Sequence, residues 1–330
     1  MFNIRTSLTV ALLSLAINGA SVAGCGTGAQ QQPARNNSGS SNQSATENSG
    51  SSNQSATPQP SERGQASGDL KILTVGGYNL VSDAFVAVAR DAETYQELRR
   101  LDDNLPILAA DEFKRTAIVA AFLGERRTGG YGVEITRARD GDVRIRETTP
   151  PKDAMVTQAL TRPYKIVSVP VENEGRLKIE VGEAWRAASR PYRVASGEFT
   201  MSGGFAGRSE NMKLEGSMTV MRHDNLATFL FDLKGTGAAK ARELKEAATG
   251  IVQAGGNVHL ARFNAGSLVE PPANLLAAQG QFTNKENDLT LAFESLPSNI
   301  ADGYQGRGRL TAVATGPPPP KRSSTREDVM

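Results

Sequence analysis

The chain has 330 residues, with 37 Lys plus Arg against 35 Asp plus Glu, one Cys and two His. A net charge of +2 excludes a polybasic nucleic-acid arm and an acidic solvating tail, so no nucleic-acid partner is expected. One cysteine excludes a disulfide framework and a cysteine-based zinc site, two histidines make no His-rich metal centre, and no metal or cofactor is expected.

Residues 1–24 have the layout of an export signal. Arg5 is the lone charge, and the apolar run from Leu8 to Ile17 is shorter than the about 20 residues that span a bilayer. The run leads to Val22-Ala23-Gly24-Cys25, which resembles the lipobox of bacterial lipoproteins. The resemblance implies cleavage between Gly24 and Cys25 and acylation of Cys25 on its sulfur and amine. Several chains, at about 0.8 kcal/mol per buried methylene, would anchor the mature protein to a membrane. Gly26 and Thr27 follow, so the acidic residue that resembles an inner-membrane retention signal is absent. The expected address is therefore a bacterial cell envelope, at the outer membrane where there are two. An ordinary signal peptide with an incidental cysteine is the alternative.

Residues 26–69 contain no Val, Ile, Leu, Met, Phe, Trp or Tyr. Nothing there can offset the entropy of ordering, so residues 25–69 read as a lipidated cysteine and a disordered linker. Asn37 to Thr46 and Asn48 to Thr57 repeat the same ten residues, NSGSSNQSAT, a duplicated tether without a core to stack. Residues 316–330, opening Gly-Pro-Pro-Pro-Pro, read as a second disordered end.

The fold class expected of the rest is mainly β with minor α, as two antiparallel β-rich units, each a sandwich or small barrel, over 70–183 and 184–315. In the first, Lys71 to Val75 and Ala84 to Ala89 are strands, and Asp91 caps a short helix with Tyr95, Leu98 and Leu101 on one face. Ala117 to Leu123 is apolar throughout, as in a strand buried on both faces. Tyr131, Val133 and Ile135 alternate with polar or glycine positions. Asp140-Gly141 then signals a hairpin into Val143 and Ile145. Tyr164 to Val169 and Leu177 to Val181 complete an expected up-and-down meander. Counting reversals puts the 124–130 and 148–163 loops at one end. That end gathers Arg126, Arg127, Thr128, Gly129, Gly130, Pro150, Pro151, Lys152, Arg162 and Pro163. Paired glycines allow positive φ and close approach, prolines stiffen, and arginines offer forked donors, so this is the expected protein-binding surface for an acidic partner. The same glycines and prolines also suit plain turns.

Asp111-Glu112-Phe113, the strand through Phe122, and Gly124-Glu125-Arg126-Arg127-Thr128-Gly129-Gly130-Tyr131 resemble the C-terminal domain of the protease complex subunit PrcB. Pro150-Pro151 and Arg162-Pro163-Tyr164 continue the likeness, which covers roughly residues 84–171. It implies a lipoprotein-borne, non-catalytic β domain that associates with and stabilises an envelope or secreted protein, a protease complex among them. Arg162-Pro163-Tyr164 and Thr128-Gly129-Gly130-Tyr131 also resemble the paired loops of chagasin-like inhibitors of cysteine proteases, with an extra glycine and with Arg126-Arg127 in place of Asn-Pro.

In the second unit, segments at 199–202, 214–221, 229–233, 258–263, 289–293 and 310–313 are strand candidates, and 237–250 reads as a helix with Ala241, Leu244 and Ala248 on one face. Six strands and one helix suit a sandwich or small barrel, and a lipid- or ligand-binding barrel is a further alternative. Gly235-Thr236-Gly237 lacks the third glycine of a dinucleotide site. His223-Asp224 lacks a nucleophile elbow and reads as a turn, and Trp185 reads as packing in the join. The chain is not expected to be an enzyme.

Overall fold

The computed structural model describes residues 70–171, 175–203, 208–238, 240–269, 275–296 and 305–319. The signal segment 1–24, Cys25, the rest of the 25–69 linker and residues 320–330 lie outside the described residues. Residues 316–319 of the expected disordered tail are placed: Gly316 lies against Pro191, after a Thr315 N–H to Pro191 O bond of 3.0 Å.

The first unit contains β1 (Lys71–Gly76), β2 (Phe85–Ala89), α1 (Ala92–Arg99), a 3-10 turn at Glu112–Lys114, and β3 (Thr116–Phe122). After these come β4 (Gly132–Arg137), β5 (Val143–Thr148), β6 (Tyr164–Pro170) and β7 (Ile179–Val181). Asp91 caps α1, its Oδ1 accepting from Thr94 N at 2.8 Å, and the helix buries Tyr95 and Leu98. The meander is corrected. One antiparallel sheet runs β1-β6-β3-β2, and a second runs β4-β5-β7 with β5 and β7 parallel. The continuous apolar run of β3 explains this: Ala117 to Phe122 are fully buried, so β3 sits between β2 and β6 rather than beside the half-exposed β4.

A short helix, α2 (Glu183–Ala187), carries fully buried Trp185, whose Nε1 donates to Phe122 O at 2.9 Å. Eight antiparallel strands then close into a barrel: β8 (Arg190–Gly203), β9 (Arg208–His223), β10 (Leu226–Thr236), β12 (Ala247–Val252), β13 (Asn257–Asn264), β14 (Leu275–Thr283), β15 (Asp288–Ser295) and β16 (Gln305–Ala314). The ring shuts where β9 pairs with β10 from His223↔Leu226 to Lys213↔Thr236. Period-2 alternation drives it. Along β10, Ala227, Phe229, Phe231 and Leu233 face the interior core, and the rings of Phe229, Phe231, Phe263, Phe282 and Phe293 contact one another at 5.6–6.3 Å.

The helix expected over 237–250 is not formed. That stretch holds β11 (Arg242–Leu244) and β12, which pair side by side with the second and first halves of β10. Alanine, lysine, glutamate and leucine favour a helix, but Ala247 and Ala248 are buried on opposite faces, one against the first unit and one inside the barrel. A helix would also leave the long strand β10 without partners on that side. The Gly235-Thr236-Gly237 step therefore leads into a strand.

The units share a continuous core, in which Met221, Leu226 and Ala247 of the barrel's outer wall join the first unit's cluster. β2 is the edge of its sheet, and barrel hydroxyls serve that edge. Thr228 Oγ1 donates to Val86 O at 2.6 Å, and Val88 N donates to Thr249 Oγ1 at 2.7 Å. An otherwise open row of backbone groups is thus covered.

Candidate binding site

β3 and β6 are antiparallel neighbours, with Phe122 opposite Tyr164, so the loop leaving β3 and the loop entering β6 start from one end of the sheet. The two loops are cross-braced by their backbones. Arg126 and Thr161 exchange both N–H···O bonds at 2.8 Å, Gly129 N donates to Thr157 O at 2.8 Å, and Leu123 N donates to Pro163 O at 2.9 Å. Thr161 Oγ1 adds a bond to Thr128 O at 3.0 Å. Gly130 has φ +84°, and a Cβ there would lie 2.9 Å from Pro150 Cβ. These bonds fix the two loops to each other.

The segment after β1 is tied into the same end. Arg162 N donates to Gly77 O at 2.7 Å, and Asn79 Nδ2 donates to Arg162 O at 2.5 Å. Arg126 pairs with Glu147 at 3.0 Å and lies 5.8 Å from the Tyr131 ring centroid, its side chain 14% exposed. Arg162 pairs with Glu125 at 3.0 Å. Two of the expected cations are therefore neutralised within the domain, whereas Arg127 and Lys152 are exposed. Thr128 is half-buried, Gly129 is buried and Gly130 is exposed. Pro163 and Tyr164 are buried, with Tyr164 stacked on Phe122 at 5.9 Å; burial raises the Tyr164 hydroxyl above its usual range. Gly24 and Cys25 lie outside the described residues.

Sequence reasoning missed the apolar part of this end. Met155 and Leu160 on the second loop, and Tyr78 and Leu80 on the segment tied to Arg162, are large exposed side chains. Isolated apolar residues in polar loops carry no periodic signal, and these four stand exposed on mutually bonded segments. His223 ends β9 and Asp224, with φ 48°, opens the two-residue turn to β10 with Asn225; the imidazole packs 5.7 Å from the Phe85 ring. Among the described residues no three His, Cys, Asp or Glu gather as metal ligands, and no helix is long and apolar enough to cross a membrane.

Residues 117–170 match the family model described as PrcB C-terminal. The match runs from β3 through β6 and so contains both braced loops. No curated protein matches the chain. A crystal structure from Bacteroides fragilis, provisionally assigned as an outer membrane protein, aligns over 59% of this chain and 66% of its own. The identity there is 8% and the TM-score 0.22, a likeness too weak to carry argument.

Proposed function

We propose that this chain is a non-catalytic, lipid-anchored binding module of the bacterial envelope whose PrcB-like unit associates with and stabilises a protein complex, a protease complex being the candidate that the family's description suggests. The observation that carries the reading is the rigid loop pair between β3 and β6, which lies inside the family match and presents Met155 and Leu160 beside Tyr78 and Leu80. Preorganised loops limit the ordering cost of association, and exposed apolar side chains together with exposed Arg127 and Lys152 on the same braced segments suit a partner surface with both apolar and acidic parts. Burial of Pro163 and Tyr164 does not favour the chagasin-like reading, in which that loop would enter a protease cleft. The stacked phenylalanines inside the barrel likewise do not favour a lipid carrier.

Capture from the envelope fraction with the full chain, followed by mass spectrometry, tests the module. A protein partner should be enriched by wild type and lost with Met155→Asp plus Leu160→Asp, at an unchanged melting temperature since both side chains are exposed. Undiminished capture by the double variant would remove the loop pair from the interface. The anchor is tested separately: a clickable fatty acid should label wild type and leave Cys25→Ala unlabelled, and labelling of the variant would refute acylation at Cys25.

A further inference from the structure

Where the first unit meets the rim of the barrel lies a half-open cavity of about 810 Å³, walled by the Ser82–Ala84 segment, α2, the start of β8, the β9–β10 and β14–β15 turns, and Pro318–Pro319. The β14–β15 turn is held in an uncommon conformation. Asn284, Lys285 and Glu286 have φ of 50°, 53° and 65°, a left-handed run that costs on the order of 1 kcal/mol per non-glycine residue. Arg190 donates to Glu286 O at 2.9 Å and to Asn287 Oδ1 at 2.5 Å, and Tyr192 Oη donates to Glu286 O at 2.6 Å. Arg222 pairs with the Glu286 carboxylate and lies 5.2 Å over the Phe282 ring. Lys285 is thereby set on the cavity wall with Arg190 and Arg222.

Two of the cations on that wall, Arg190 and Lys285, are not ion-paired among the described residues. Arg190 is 6% exposed, lies 5.8 Å from the Tyr192 ring centroid, hydrogen-bonds only neutral oxygens, and leaves its Nε without a hydrogen-bond partner. Among the described residues no carboxylate lies within ion-pair distance of Arg190 or Lys285. Arg222 is engaged through one nitrogen, and its Nε also has no partner. The fourth cation on the wall, Arg126, already has Glu147. Of the wall's carboxylates, Glu286 is held by Arg222, Asp224 sits 3.5 Å from His223, and Asp83 has no ion pair. A buried guanidinium without a counter-ion is costly, and forked guanidinium donors beside an ammonium match a carboxylate. The acids Asp83 and Asp224 on the same wall disfavour the compact double charge of a phosphate more than carboxylates set apart along a chain. The volume suits a small ligand or a few residues of peptide.

We propose that this cavity binds a carboxylate ligand, seated against Arg190, Arg222 and Lys285 and supplied by an acidic peptide segment or a free dicarboxylic acid. The inference stands apart from the partner-binding reading of the loop pair. Isothermal titration of the full chain in low-salt buffer tests it with four probes: a capped Glu-Ala-Glu-Ala peptide, its glutamine counterpart, succinate and inorganic phosphate. The glutamate peptide or succinate should bind, and the glutamine peptide at least about tenfold more weakly. Binding of the peptide without succinate assigns the acid to a polypeptide; comparable or stronger binding of succinate assigns it to a free acid. Lys285→Asn removes the cation while suiting the left-handed backbone, and should weaken the acid about tenfold at an unchanged melting temperature. The proposal is overturned by no binding of either acid, equal affinity for the two peptides, tighter binding of phosphate, or wild-type affinity in Lys285→Asn.

Discussion

Gly129 and Gly130 use the absence of a side chain in two different ways. Gly130 has φ +84°, a conformation that a Cβ disfavours by about 1–2 kcal/mol, and its neighbours Pro150 and Val156 approach within 2.9 and 3.1 Å of the Cβ position. Gly129 has no such backbone requirement; its Cβ position is instead occupied by Thr157 Oγ1, beside the backbone bond that braces the loops. The two should therefore respond differently to rescue. Gly130→Ala should lose about 1–2 kcal/mol in urea unfolding whatever stands at 157. Gly129→Ala should lose a comparable amount, most of it restored by adding Thr157→Ala, because the side-chain clash is then gone. Rescue of Gly130→Ala by Val156→Ala would mean that crowding, not backbone conformation, selects glycine at 130.

At the scale of elements, local patterns were legible and long-range pairing was not. The Asp91 cap, the buried run of β3 and the alternation of β4 and β5 all follow from short-range chemistry, and the structure places them accordingly. Which strands pair depends on contacts distant in sequence, so β6 returning to β3 and β7 running parallel to β5 escaped a meander reading. The loops on either side of β4 and β5 still meet, because Phe122 and Tyr164 face each other whatever lies between. The stretch at 237–250 misled for a physical reason: strong helix formers were overruled by the open edge of β10. Charge was only half legible. Arg126 and Arg162 read as free cations, since nothing local shows that Glu147 and Glu125 reach them. The cavity had no linear signature at all, as residues 190, 222 and 285 come together through barrel closure and residue 83 through packing of the first unit on the barrel rim.

The two units also meet at a buried ionisable pair, Glu246 and Arg90. Glu246, between β11 and β12, accepts from Leu177 N at 2.8 Å and lies 3.2 Å from Arg90, which donates to Gly175 O at 2.6 Å. Both side chains are almost fully buried, so a barrel carboxyl meets a first-unit guanidinium away from water. Burial pushes the Glu246 carboxyl up to about 7, outweighing the opposing effects of Arg90 and the Leu177 N–H. Because the folded value lies above the unfolded 4.5, the native state holds a proton that the unfolded state releases between those values. Glu246 thus contributes stability that is fully present below about pH 4.5 and lost as pH rises through about 7, roughly 3 kcal/mol in all. His223 acts in the opposite sense: burial lowers its pKa below 6.5, so its contribution is present above that value and lost as pH falls. Comparing wild type with Glu246→Gln separates the two, since glutamine keeps an acceptor for Leu177 N and does not titrate. Between pH 5 and pH 8 the wild type should lose up to about 3 kcal/mol more unfolding free energy than the variant, read from urea midpoints at constant slope. Parallel curves would show that Glu246 stays ionised throughout and that Arg90, rather than burial, sets the charge at the junction of the two units.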